Sequence, residues 1–177
     1  MTLHPTLDET LARARSDLRM GLPVRLQDAQ NAWLMLPTET ASEHRLRACQ
    51  ALGDLDLAVT ARRAETLKAR AYDGTIARIQ VPEDAGLAWV QALADPADDL
   101  AHPLRGPLPT ARGGDARAHK LALDLCKAAR LLPAALVVPA PKLTPGLTTV
   151  PLSAATAMAC LPDLNEITSA RVPLRAA

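Results

Sequence analysis

Apolar residues recur along this chain with two alternating periods. Leu121, Leu125, Ala129 and Leu132 fall at i, i+4, i+8 and i+11, which puts them on one stripe of a helix running from Ala118. Pro133, with no N–H to donate, is expected to stop that helix. The wholly apolar run Ala134 to Val138 follows, and it reads as a strand buried on both faces. A helix feeding a fully buried strand marks the middle of a mixed core, and the rest of the chain repeats the alternation.

Thr6 and Glu9 fit a capping box that opens a helix through Leu7, Leu11, Ala14 and Leu18, with Gly21 as its closing residue. Pro23 to Gln27 and Ala32 to Leu36 read as strands joined by the polar turn Asp28 to Asn31. Thr40 and Glu43 suggest a second capping box for a helix through Leu46 and Cys49 to Leu52, closed by Gly53. Leu55, Leu57 and Val59 alternate as a strand, and Thr60 can cap a helix from Ala61 to about Arg70. After the Asp73-Gly74 turn come a strand over Ile76, Ile79 and Val81 and a helix from Glu83 to Ala94. Asp95 to Arg117 is broken by four prolines and three glycines and reads as a long loop. A second Pro-rich loop spans Pro139 to Pro151. A helix from Ser153 to Leu161, a short segment over Asp163 to Ile167 and a strand near Ala170 to Leu174 complete the chain. Helices and strands alternating in this way predict an α/β or α+β sandwich, a mixed β-sheet covered by helices, with residues 1–177 as one domain.

Composition narrows the function more than the fold. Lys and Arg number 20 against 19 Asp and Glu, and no long single-sign run occurs, so neither nucleic acid nor an anionic membrane is an expected partner. With no Phe, one Tyr and two Trp there is no platform for base stacking. Three widely spaced cysteines without a C-x-x-C pair point to a reduced, cytoplasmic protein. No signal-peptide pattern and no apolar run of about 18 residues is present.

The densest polar cluster lies in the long loop: His102, Arg105, Arg112, Asp115, Arg117, His119 and Lys120. Arginines beside Gly113-Gly114 can grip a phosphorylated small molecule, because guanidinium forks match its oxygens and glycine admits close backbone N–H groups. That makes Arg105, Arg112, Gly113, Gly114, Arg117 and His119 a candidate anion site; the plainer reading is a solvated basic connection. His119, at a helix start, could serve as acid, base or metal ligand. No metal site is expected: the histidines lack helical pairing, and Cys49 beside His44 reads as a buried thiol near a surface imidazole. Asp54/Asp56 and Asp98/Asp99 read as solvated pairs. No nucleophile-elbow, P-loop or dinucleotide fingerprint occurs.

Several segments resemble 3,4-dihydroxy-2-butanone 4-phosphate synthase, a riboflavin-pathway family. They are R-M-G-L-P-V-R-L (Arg19 to Leu26), L-P-T-E-T-A-S-E (Leu36 to Glu43), L-A-V-T-A-R-R-A-E-T-L (Leu57 to Leu67), His102-Pro103-Leu104-Arg105 with Gly113-Gly114, and L-L-P-A-A-L-V-V (Leu131 to Val138). More narrowly, Lys120 to Val137 and the ending A-R-V-P-L (Ala170 to Leu174) resemble the synthase-like N-terminal region of a bacterial subfamily of GTP cyclohydrolase II. The resemblance implies a synthase-like fold and a catalytic domain beyond Ala177. Its departures imply lost chemistry. The family's acidic Mg²⁺- and substrate-binding loop reads Gln27 to Ala32 here, with one carboxylate. Its Gly-His-Thr-Glu helix opening reads Arg117-Ala118-His119-Lys120, one residue out of register, and its Glu after the late strand falls at Val138-Pro139. A divalent ion needs several oxygen ligands. The expectation is therefore a non-catalytic domain with no cofactor and no catalytic residues, acting as a homodimer or beside a GTP cyclohydrolase catalytic domain. The alternative is a phosphate- or nucleotide-binding regulatory module built on residues 102–120.

Overall fold

A computed structural model describes residues 3–97, 99–100, 107–140 and 145–159. His102, Arg105, Cys160 and the segments expected beyond residue 159 lie outside the described residues. The elements are α1 (Leu7–Arg19), β1 (Val24–Gln27), β2 (Ala32–Pro37), α2 (Glu43–Gln50), β3 (Asp56–Thr60), α3 (Ala61–Thr66), β4 (Ile76–Gln80), α4 (Leu87–Ala94), α5 (Arg117–Ala128), β5 (Ala134–Pro139), β6 (Thr149–Pro151) and α6 (Ala154–Ala159). The six strands form one mixed sheet in the order β4-β3-β5-β2-β1-β6. Every pairing is antiparallel except that of β1 with the edge strand β6.

Strand alternation divides the core into two apolar layers. Val24, Leu26, Met35, Ala58, Ala135, Val137 and Val150 face one side, where α1, α5 and α6 cover them. Leu34, Leu36, Leu57, Val59, Ala77, Ile79, Leu136 and Val138 face the other, under α2, α3 and α4. The central strands are thus buried on both faces, which is why β2 and β5 show no polar alternation in sequence. α5 buries Ala118, His119, Leu121, Ala122, Leu123, Leu125 and Cys126, because it touches α1 and α6 as well as the sheet.

Three helices end in the same way. After α1, Gly21 N–H donates to the Leu18 carbonyl and Leu22 N–H to that of Asp17, a Schellman closure with Gly21 at φ +71°. A β-carbon at Gly21 would lie 2.1 Å from the Thr40 carbonyl oxygen, so glycine is needed for space as well as for its dihedral. α3 and α5 close by the same pair of bonds, but Lys68 (φ 56°) and Arg130 (φ 60°) occupy the left-handed position. Both helices are therefore shorter than expected. α3 stops well before Arg70, and Leu132 lies beyond α5 rather than on its stripe, with its N–H donated to Glu39 Oε2 at 2.6 Å.

Two further expectations are corrected. Thr40 does not cap α2: its hydroxyl donates to the Leu18 carbonyl, and Ser42 is the N-cap. Glu43 accepts from Leu87 N–H at 2.9 Å, and so caps α4, which begins at Leu87 rather than Glu83. The 139–151 loop ends in the short strand β6, whose Pro151 is tolerated because it sits on an edge.

Candidate functional site

The strand directions bring the C-terminal ends of β1, β5 and β6 and the N-terminal ends of β2, β3 and α5 to one end of the molecule. There the Asp28 carboxylate folds the β1–β2 turn onto itself, accepting from Gln30 N–H at 2.9 Å and Asn31 N–H at 2.7 Å. Across from it, Arg117 opens α5. Its guanidinium donates to Asp115 through Nε and Nη2, and Nη2 also reaches Asp28 Oδ2 at 2.9 Å. Beside this clamp lies a cavity of about 650 Å³, lined by the turn, Arg117, Lys120 and the β6–α6 corner with Ser153 and Thr156.

Below the rim, His119 is buried at 5% exposure with Nε2 at 3.3 Å from Asp56 Oδ2. Neither ring nitrogen completes a hydrogen bond with the described residues. Asp56, expected to be solvated, instead faces α5 across the sheet. The rest of the loop is fastened along β4. Gln80 N–H donates to Pro109, Ala111 N–H donates to Arg78, and Thr110 bridges to Ile79. Arg78 itself is buried, pairs with Asp73 at 2.8 Å and also donates to the Gly113 carbonyl. Arg112 lies over the Tyr72 ring, 4.8 Å from its centroid.

The candidate residues thus occupy three neighbouring places rather than one pocket. Arg112, Gly113 and Gly114 belong to the strap against β4, Arg117 to the cavity rim and His119 to the core, while Arg105 lies outside the described residues. Nothing local in the sequence joins Asp56 to His119 or Arg78 to Gly113, since those contacts arise only in the folded sheet.

The electrostatics of the rim favour a closed ion-pair group. Hydrogen bonds from the Gln30 and Asn31 amides, and then Arg117, hold the Asp28 carboxyl below its usual range. The Arg117 guanidinium does the same for Asp115, and Asp115 in turn raises Arg117. The described residues do not fit a divalent ion: no group of three or more His, Cys, Asp or Glu side chains converges, and the two rim carboxylates are already bonded to a guanidinium. Burial pushes the thiols of Cys49 and Cys126 up to about 11 and about 12, which removes both as nucleophiles near neutral pH. A second cavity of about 400 Å³, at the opposite end of the sheet, is lined by Thr38, Glu39, Gln91, Asp95 and Leu132 among others. No helix among the described residues is long and apolar enough to cross a membrane.

No protein-family model matches the sequence, and no curated protein matches it. Solved structures do match the backbone. A cation-free 3,4-dihydroxy-2-butanone 4-phosphate synthase superposes with a TM-score of 0.63 at 16% identity, over 84% of this chain and 96% of that one. The fold is that of 3,4-dihydroxy-2-butanone 4-phosphate synthase. The synthase of Candida albicans gives a TM-score of 0.60 at 14% identity, over 83% of this chain and 95% of that one. RibBX, a two-domain synthase from A. baumannii, gives 0.53 at 15% identity, with 81% of this chain and 55% of RibBX covered. The α+β architecture expected from the alternating elements is therefore the synthase fold. At these identities the likeness is one of fold.

Proposed function

We propose that this chain is a synthase-like domain that keeps the scaffold without the metal chemistry, a pseudoenzyme of riboflavin biosynthesis associated with GTP cyclohydrolase II. Its role is structural, through dimerisation or support of a catalytic domain. The observation that carries the reading is Arg117. One guanidinium bridges Asp28 and Asp115 at the turn that corresponds, by the sequence resemblance, to the family's acidic Mg²⁺-binding loop. A permanent cation thus occupies the one carboxylate left in that loop, where a divalent ion needs several oxygens. The two-domain RibBX supports the wider picture, since it carries this fold alongside a further domain.

A Mg²⁺ titration followed by NMR tests the claim at the rim. The Asp28 and Asp115 side-chain carbonyl signals are expected to stay in place, and a saturable shift of both would refute it. The association is tested by sedimentation and by co-elution with a GTP cyclohydrolase catalytic domain. A monomer that does not retain that domain would remove the structural role.

A second reading has one observation in its favour: Arg117 and Lys120 both line the 650 Å³ cavity. In it, residues 102–120 bind a phosphorylated metabolite or nucleotide and regulate a partner. A nucleotide-dependent rise in melting temperature is then expected, and it should disappear in Arg105→Ala/Arg117→Ala. A rise that survives both substitutions contradicts this second reading.

A further inference from the structure

Arg25 occupies the middle of β1, one strand in from the edge of the sheet. Its neighbours Val24 and Leu26 point into the layer under α1 and α5, so Arg25 points to the opposite face. In register on that face stand Leu34 of β2 and, beyond it, Val138 of β5, both apolar and buried. Thr149 of β6 stands in register on the other side. Arg25 is only 6% exposed, and its Nε and Nη1 are buried without a hydrogen-bond partner. No carboxylate of the described residues forms an ion pair with it.

A lysine in this place could shed its proton and become neutral, but a guanidinium keeps its charge in any protein environment. An unpaired buried cation therefore calls for a negative partner. The N–H groups of a guanidinium lie in one plane at a spacing that matches the two oxygens of a carboxylate or a phosphate. Thr149 brings a hydroxyl to the same face at the adjacent position. We propose that Arg25 anchors an internal site for one small oxyanion, a free carboxylate or inorganic phosphate, on the sheet face that carries Arg25 and Thr149. A carboxylate on a folded partner is the less fitting source, because a side chain this deeply buried offers no surface for docking. The site is separate from the Arg117 cavity, and it stands whether or not the chain is catalytic.

The test uses the purified chain with sodium formate or inorganic phosphate exchanged for chloride at constant ionic strength. The Nε–H signal of Arg25 is expected to shift saturably with formate. The melting temperature should rise by about 3 °C at ten times the half-saturating concentration. Arg25→Met should lose the thermal shift, whereas Arg117→Ala should keep it. A formate-dependent thermal shift that persists in Arg25→Met, or is abolished by Arg117→Ala, would overturn the proposal. If Arg25→Met does not fold, the wild-type signal decides: an Nε–H that ignores both anions rules the site out.

Discussion

Arg117 meets two carboxylates from different parts of the chain, and that contact fixes the character of the cavity rim. Asp28 is held below its ordinary value of 3.8 chiefly by the Gln30 and Asn31 amides and then by Arg117, and Asp115 chiefly by Arg117, so these contacts stabilise the fold above that value. The contribution is lost as pH falls through the lowered folded values. The melting temperature of Arg117→Ala should therefore lie below that of the wild type near neutral pH, and the gap should narrow as the pH falls below 3.8. A gap that stays constant across that range would show that the clamp contributes nothing. Deeper in the fold, Arg78 and Asp73 have side chains only 7% and 10% exposed. Asp73→Ala leaves a buried guanidinium with only the Gly113 carbonyl, and should cost roughly 3–5 kcal/mol in urea unfolding. Adding Arg78→Met should recover most of that loss. For the two buried thiols the prediction is chemical: mass spectrometry after alkylation of the folded protein at about pH 8 should find Cys49 and Cys126 unmodified, and both modified in denaturant.

At the scale of elements, the limits of sequence reading trace to particular residues. The capping box at Thr6 was legible because both of its bonds are local, and the structure contains it. The ends of α3 and α5 were not, because the left-handed closing positions hold Lys68 and Arg130, where the pattern leads one to look for glycine. Helical periodicity then ran on to Leu132 although the backbone had already turned. Arg130→Gly should accordingly stabilise the protein by about 1 kcal/mol, measured by chemical denaturation, since it relieves a β-carbon from a left-handed dihedral. A loss of stability would mean that the arginine side chain contributes more than its strain removes. Thr40 and Glu43 mark another limit. Their spacing matched a capping box, yet each bonds to a different helix, and only tertiary structure brings those helices near. β6 was hidden because three residues including a proline carry no strand pattern, and parallel pairing with β1 defines it.

Across the whole molecule, the order of the helices and strands other than β6, and the doubly buried strand β5, were readable from apolar runs and local caps. The sheet order β4-β3-β5-β2-β1-β6 was not, since it depends on contacts between distant segments. The candidate site shows the same division. Arg117, Gly113, Gly114 and His119 could be singled out by residue type, but their partners Asp28, Asp56 and Arg78 come from the β1–β2 turn, β3 and β4. The backbone agrees with the synthase structures over most of the chain, while the rim carries a guanidinium between its carboxylates. The proposed function is a retained scaffold with its metal chemistry absent. Product formation from ribulose 5-phosphate and Mg²⁺, with an active synthase run in parallel, tests it most directly. No conversion above the protein-free background is predicted; sustained turnover by this chain would contradict the account.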